Sequence, residues 1–298
     1  MSLDHSLVGV PGEPHLRSWD STAALLYAVG VGAGLGDPLQ ELAFTTENCA
    51  GIEQQVLPTF AVLVAQAPAA RSLGDFDLAL LVHAEQSFEL HRPLPTAGTV
   101  RTTSTVTGIY DKGSGALVVT ENVAVDADSG QPLVTSRSGI FVRGEGGFGG
   151  PRGTEPPWPV PDREPDYQVV QPTRPEQALL YRLSGDRNPL HVDPAFAARG
   201  GFDRPILHGL CTYGVTGRAL LRVLCDGDSA RFRSMSGRFS RPVLPGEPLT
   251  VSVWRQDDGE TALFQTTKTD GTVVIDRGRV RFGPAAAVTR PGAGRNDS

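Results

Sequence analysis

The chain has 298 residues, of which 39% are hydrophobic and 20% charged, and its net charge is −6. That balance supports a packed core and argues against global disorder. Net acidity without a dense Lys/Arg stripe argues against nucleic acid or an anionic membrane as partner. The three cysteines, Cys49, Cys211 and Cys225, show no CxxC spacing, which argues for a reducing compartment and against a disulfide framework or zinc site.

At the start of the chain, MSLDHSLVG lacks the basic-then-apolar layout of a signal peptide. No apolar run reaches the roughly 18 residues of a membrane span. Gly30, Gly32, Gly34 and Gly36 follow a helix-like apolar stretch rather than a strand and miss the GxGxxG spacing, so no dinucleotide site is expected. Residues 58–66 (PTFAVLVAQ) read as an apolar helix. The β-branched runs TVRTTSTVTGIY and ALVVTENVAVDA follow as strands, with hairpin turns at 111–115 and 126–130.

Residues 144–165 are too rich in Gly and Pro for helix or sheet and read as a linker. Thr173 and Glu176 then form a capping-box pattern opening a helix that stops at Gly185. Asp193-Pro194 caps a second short helix, and residues 208–224 form a long apolar one, with Cys211 and Tyr213 as core residues. Strands LTVSVWRQ, ALFQTTKT and TVVIDRGRVRF close the pattern, turning at 257–259 and 269–271. From 284 onward the tail is small, polar and expected to fray.

The two halves read as distant copies. Arg92-Pro93, with a Pro and Gly behind it, matches Arg241-Pro242, with its own Pro and Gly, half a chain length later. Each half runs from an apolar helix into an antiparallel meander, an α+β pattern in which a sheet wraps one helix.

The loop YRLSGDRNPLH (181–191) carries the chemistry. It gathers a carboxylate (Asp186), an amide (Asn188) and an imidazole (His191) between turn residues Gly185 and Pro189, with a helix on either side. Such a loop can aim an acid/base pair at one small volume where water is activated. Shortly after it, the helix opening at Gly209 offers unpaired N–H groups and a positive dipole end. An acid/base pair beside a helix N-terminus is what a thioester enolate needs. The bland readings are a turn-capping Asp186 and a structural His191. His208 reads as a packing or supporting group, and Asp193 as only an N-cap. No Gly-x-Ser-x-Gly elbow is present, which removes the commonest serine hydrolase option.

YRLSGDRNPLHVDPAFA resembles the hydratase 2 motif of the MaoC-like dehydratases, the (R)-specific 2-enoyl-CoA hydratases, and GFDRPILHGLCTYG fits the same family. VHAEQSFELHRPLPTAG, YDKGSG and GGFGG extend the likeness over nearly the whole chain, to the hydratase domain of the peroxisomal type 2 multifunctional enzymes. The resemblance implies a double hot-dog fold: a degenerate repeat at 1–150, a linker at 151–165, a catalytic repeat at 166–283 and a flexible tail at 284–298. It implies catalysis by Asp186 and His191, support from Asn188 and an oxyanion donor at the Gly209 N–H. CoA-thioester contacts would fall on His83, Ala84, Lys112 and Phe239, and on the motif neighbours Arg187, Pro189 and Leu190. Ala84 stands where the family has glycine, a change that a backbone contact survives. From the residues alone, Lys112 is a solvated hairpin lysine, His83 a strand residue and Phe239 a core residue. Counted from Tyr27, Gly32 and Asp37 occupy the offsets of Asp186 and His191, so the first half lacks the pair and would widen the acyl pocket instead.

The expected activity is hydration of trans-2-enoyl-CoA to (3R)-hydroxyacyl-CoA, without metal or cofactor, in a cytoplasmic homodimer. The chain ends in Asn-Asp-Ser rather than a Ser-Lys-Leu peroxisomal address. Rival readings are a dehydratase of acyl-carrier-protein substrates, a hot-dog thioesterase with a lone carboxylate, and a non-catalytic thioester-binding module. The last would be expected to lose Asp186 or His191, and both are present.

Overall fold

The computed structural model describes residues 3–70, 72–154 and 157–284. The fraying expected of the tail falls on positions outside the described residues, apart from Pro284. The first half contributes strands β1 (His15–Trp19), β2 (Leu81–Leu90), β3 (Gly98–Asp111), β4 (Gly115–Asp126) and β5 (Pro132–Arg143). The second contributes β6 (Tyr167–Gln171), β7 (Phe232–Phe239), β8 (Leu249–Arg255), β9 (Thr261–Lys268) and β10 (Val273–Phe282). All ten join one sheet in the order β1-β3-β4-β5-β2-β7-β10-β9-β8-β6, every ladder antiparallel.

Outward from the central β2–β7 pairing, the two halves run in matching order: β5 with β10, β4 with β9, β3 with β8, β1 with β6. The repeat expected from the sequence is therefore a repeat of topology, and Arg92-Pro93 and Arg241-Pro242 fall at equivalent places just beyond β2 and β7. The four expected hairpin turns join β3 to β4, β4 to β5, β8 to β9 and β9 to β10. Strand burial alternates where one face meets the core, as in β8, whose Leu249, Val251 and Val253 are buried.

The helices are α1 (Ser21–Gly30), α2 (Leu42–Thr45), α3 (Ala61–Val64), α4 (Gln177–Tyr181), α5 (Pro194–Arg199) and α6 (Gly209–Cys225). The second-half helix expected over 208–224 is α6, buried along most of its length, Cys211 and Tyr213 included. Its first-half counterpart, expected over 58–66, is only a 3-10 turn at Pro58–Phe60 followed by α3.

Two glycines let α6 sit close to the first half. A Cβ at Gly214 would lie 2.5 Å from Val31 Cγ1 and 2.8 Å from Tyr27 Oη, and one at Gly217 would overlap Thr59 Cγ2. An interior helix glycine costs about 1 kcal/mol of propensity, so close packing across the halves must offset it. One hydrophobic cluster accordingly spans both halves, from Tyr27, Leu63 and Phe88 to Tyr213, Leu220 and Phe264.

One further local expectation changes. The Thr173–Glu176 capping box does not form. The Thr173 hydroxyl instead donates to Glu247 O (2.8 Å) and accepts from Gly246 N (3.0 Å), and the helix shortens to α4 and a 3-10 turn ending at Ser184. Asp193, by contrast, caps α5 by accepting from Ala195 N and Phe196 N. Among the described residues, the Gly-rich stretch after β5 has no regular structure, but it is fastened. The Asp111 carboxylate accepts N–H bonds from Gly113 (2.8 Å), Gly147 (2.9 Å) and Gly149 (2.8 Å). These donors hold its pKa below the ordinary carboxylate range.

Candidate active site

The loop after α4 is rigid for reasons that lie within it. Gly185, at φ 125°, ends the 3-10 turn. Asp186 Oδ1 accepts from Asn188 N (3.1 Å), and Asn188 Oδ1 accepts from Leu190 N (3.0 Å), capping the single turn Pro189–His191. Asn188 thus shapes the loop, and His191 is delivered at its end.

His191 Nδ1 lies 2.8 Å from Ile206 O. A carbonyl only accepts, so Nδ1 carries the proton, and in the neutral ring Nε2 keeps a lone pair. Burial lowers the His191 pKa, opposed by the Ile206 bond and by the Asp186 charge, so the ring is neutral near pH 7. His208 stacks on it with centroids 3.7 Å apart and places Nε2 3.3 Å from Asp186 O. Burial pushes the His208 pKa down to about 3, with His191 adding to the shift.

Asp186, Asn188, Leu190, His191, Gly209, His83, Ala84 and Phe239 all line one cavity of about 470 Å³. Gly209 is the first residue of α6, where helix geometry leaves the N–H without an acceptor. A Cβ there would meet the Phe239 ring at an ordinary 3.6 Å, so the fold itself does not demand glycine. His83 donates Nε2–H to Glu85 O (3.0 Å) and packs edge-on against Phe239, with centroids 5.1 Å apart. That hydrogen bond spans an irregularity in the β2–β5 register, where Ala84 is skipped between His83 and Glu85.

Arg187, Pro189 and Lys112 do not line this cavity; the first two are exposed. Lys112 lines a second cavity of about 470 Å³ further along the β2–β7 seam, with Arg137, Arg279, Tyr110 and Trp158. Sequence reasoning missed several walls of the first cavity, among them Arg143, Phe202 and Arg241. Arg143 donates to Gly200 O (2.8 Å), with its guanidinium 5.4 Å from the Phe202 ring centroid. Those contacts join distant segments, and only the Arg241-Pro242 repeat hinted at any of them.

Asp186, His191 and His208 each bring one possible ligand atom within 4.8 Å of the others, a spacing that could admit a cation. In the first half no such cluster stands at the matching offsets. Gly32 faces the Arg218 guanidinium from α6, which pairs with Glu41 (2.6 Å) and donates to Gln171 Oε1 (2.6 Å).

Chemically, a carboxylate and a neutral imidazole share one cavity with a free helix N-terminus. The imidazole can take a proton from water, and the N–H can receive charge building on a carbonyl oxygen. General acid–base help of this kind gives about 10²–10⁴-fold, and one oxyanion donor roughly 3–4 kcal/mol.

Fold and site together define a double hot-dog protein with one Asp–His cluster beside the seam. The MFE-2 hydratase 2 N-terminal domain matches residues 18–144, and the MaoC like domain matches residues 158–277. The chain is 49% identical over 292 residues to 3-hydroxyacyl-thioester dehydratase Y of Mycobacterium tuberculosis, an alignment covering 95% of this chain and 99% of that one. It is 43% identical over 283 residues to enoyl-CoA hydratase ChsH3 of the same organism, covering 92% and 96%. The crystal structure of a MaoC-like dehydratase from Phytophthora capsici superposes with a TM-score of 0.82 at 34% identity, covering 97% and 100%. The chain belongs to the MaoC-like dehydratase family, in its hydratase 2 group.

Proposed function

We infer that this chain is an (R)-specific enoyl-CoA hydratase of fatty acid metabolism, catalysing the reversible addition of water to trans-2-enoyl-CoA. The observation that carries the mechanism is the meeting of Asp186, His191 and the Gly209 N–H at one cavity. In this reading the thioester carbonyl accepts from Gly209 N–H, which stabilises the enolate oxygen. His191 Nε2 takes a proton from water as the water oxygen bonds to C3. A proton then returns to C2, with Asp186 orienting the water and sharing the transfer. Both groups belong to one short loop and act on one face of the substrate, which favours syn addition. Run backward, the same steps dehydrate a (3R)-hydroxyacyl thioester, the direction named for the Mycobacterium tuberculosis dehydratase Y.

CoA as the carrier is supported by the second cavity, where Lys112 and several arginines line the next stretch of the seam, suited to phosphates. Division at about residues 151–165, a homodimer, a cytoplasmic location and independence of metal and cofactor complete the proposal. Among the described residues no helix is long and apolar enough to cross a membrane.

The test mixes purified protein with crotonyl-CoA and with a long-chain trans-2-enoyl-CoA and follows the enoyl absorbance. Asp186→Asn and His191→Ala run beside it, with chiral analysis of the product. Conversion to (3R)-hydroxyacyl-CoA, lost in either variant, is expected. Release of free CoA would make it a thioesterase, and turnover of acyl-carrier-protein substrates alone would change the carrier.

A further inference from the structure

The active-site loop and the start of α6 are joined by two ties that cross between them. His191, at the end of the loop, donates Nδ1–H to Ile206 O (2.8 Å). His208, at the end of the facing segment, donates Nε2–H to Asp186 O (3.3 Å). Position 186 is thus bound to 208 and position 191 to 206, each time through a histidine, from opposite sides.

We propose that His208 is a positioning residue for the hydration, fixing the distance between the acid/base pair and the oxyanion donor. Its side chain holds the Asp186 carbonyl, its ring face holds the His191 imidazole, and its own peptide bond leads into the Gly209 N–H. Its backbone carbonyl also accepts from Cys211 N (3.0 Å) and Thr212 N (3.1 Å), setting the direction in which α6 begins. Tyr181, fully buried and 4.9 Å away between ring centroids, also packs on the His208 ring. His208 itself is 1% exposed, so the ring has little room to turn.

It is not a second base. Its Nε2 is engaged with the Asp186 carbonyl, and its Nδ1 is buried without a hydrogen-bond partner. It reaches the reaction only through the groups it holds. A misplacement of about 1 Å in such a constellation can cost on the order of 10²-fold in rate. Substrate binding, spread over the rest of the cavity, should change far less.

The proposal rests on the hydratase reading, and two variants of the full-length chain test it with the same enoyl-CoA assay. His208→Phe keeps a ring to stack but loses the donor. His208→Gln loses the ring but keeps an N–H at about the reach of Nε2. Both are expected to lower kcat, by about 10- to 100-fold for Phe, with KM within about threefold of wild type. The Gln variant should recover part of that loss, because the tie to Asp186 is restored. Full kcat in both variants, or a loss that appears in KM and tracks the thermal midpoint, would overturn the positioning role. An inactive wild-type enzyme would overturn the hydratase reading first, and the role of His208 with it.

Discussion

Within the catalytic pair, His191 is pulled two ways: burial disfavours its charged form, while the Ile206 carbonyl and the Asp186 carboxylate favour it, and burial prevails. The acid limb of kcat/KM should therefore lie below the ordinary histidine value of about 6.5, with activity lost as pH falls and His191 protonates. A pH profile of crotonyl-CoA hydration checks this; a limb above about 7 would rule His191 out as the base. Burial shifts His208 the same way, and there the effect is on stability. Its folded pKa of about 3 lies below an unfolded value of about 6.5, so between these the unfolded chain binds more protons. Stability should fall as pH drops through that window, because the unfolded chain takes up the proton that the folded one resists. Urea midpoints across pH 4–7 should accordingly fall less steeply in His208→Phe than in wild type. Gly209→Ala keeps the N–H donor and adds a methyl at the cavity wall, where the fold has room for it beside Phe239. We expect the methyl to crowd the substrate carbonyl and lower kcat/KM, with a nearly unchanged thermal midpoint. Dialysis against EDTA should leave turnover intact, and restoration by added metal would assign a cation to Asp186, His191 and His208.

The glycines of α6 put a steric limit on how the helices meet. Gly217→Ala should cost about 1–3 kcal/mol by overpacking against Thr59, read as a lower denaturant midpoint. The elements legible in the sequence were those whose signals are local. The hairpins carry their own turn chemistry at 111–115, 126–130, 257–259 and 269–271, and Asp193 caps the helix next to it. Asp186, Asn188 and His191 were legible for the same reason, since the bonds that shape their loop lie within it. The failures come from distant partners. Thr173 left its capping box for a carbonyl at Glu247, and apolar content at 58–66 could not reveal that the helix there stops at Val64. Arg143 and Phe202 meet the cavity only once β5 and α5 are packed. Asp111 likewise looked like one more turn residue, although its carboxylate gathers N–H groups from the far side of β5. Asp111→Ala should release that segment, seen as faster limited proteolysis within 144–150 while β3–β5 remain folded.

The central β2–β7 ladder and the shared core make each half depend on the other. Residues 1–150 and 151–298 expressed separately should lack cooperative unfolding transitions and regain one when co-expressed; a stable isolated half would show that the seam is dispensable. The internal repeat was legible because Arg-Pro lies just beyond the same strand in each copy. The inequality of the copies, a short α3 against a long α6, was not legible, because it is settled by what packs against each helix.

The pegging of the chain after β5 has a consequence for assembly. Asp111 holds Gly149 on the first half, and Trp158 Nε1 donates to Gly278 O (2.9 Å) on the second, so only a short crossover joins the two. A tether that short keeps the second half at a high effective concentration beside the first, on the order of millimolar. Exchange of halves between two chains would have to compete with that local supply, while both pegs stay intact because each lies within one half. Shortening the crossover until it cannot span from Gly149 to Trp158 is thus the change that would remove this local supply and favour a domain-swapped dimer at high protein concentration.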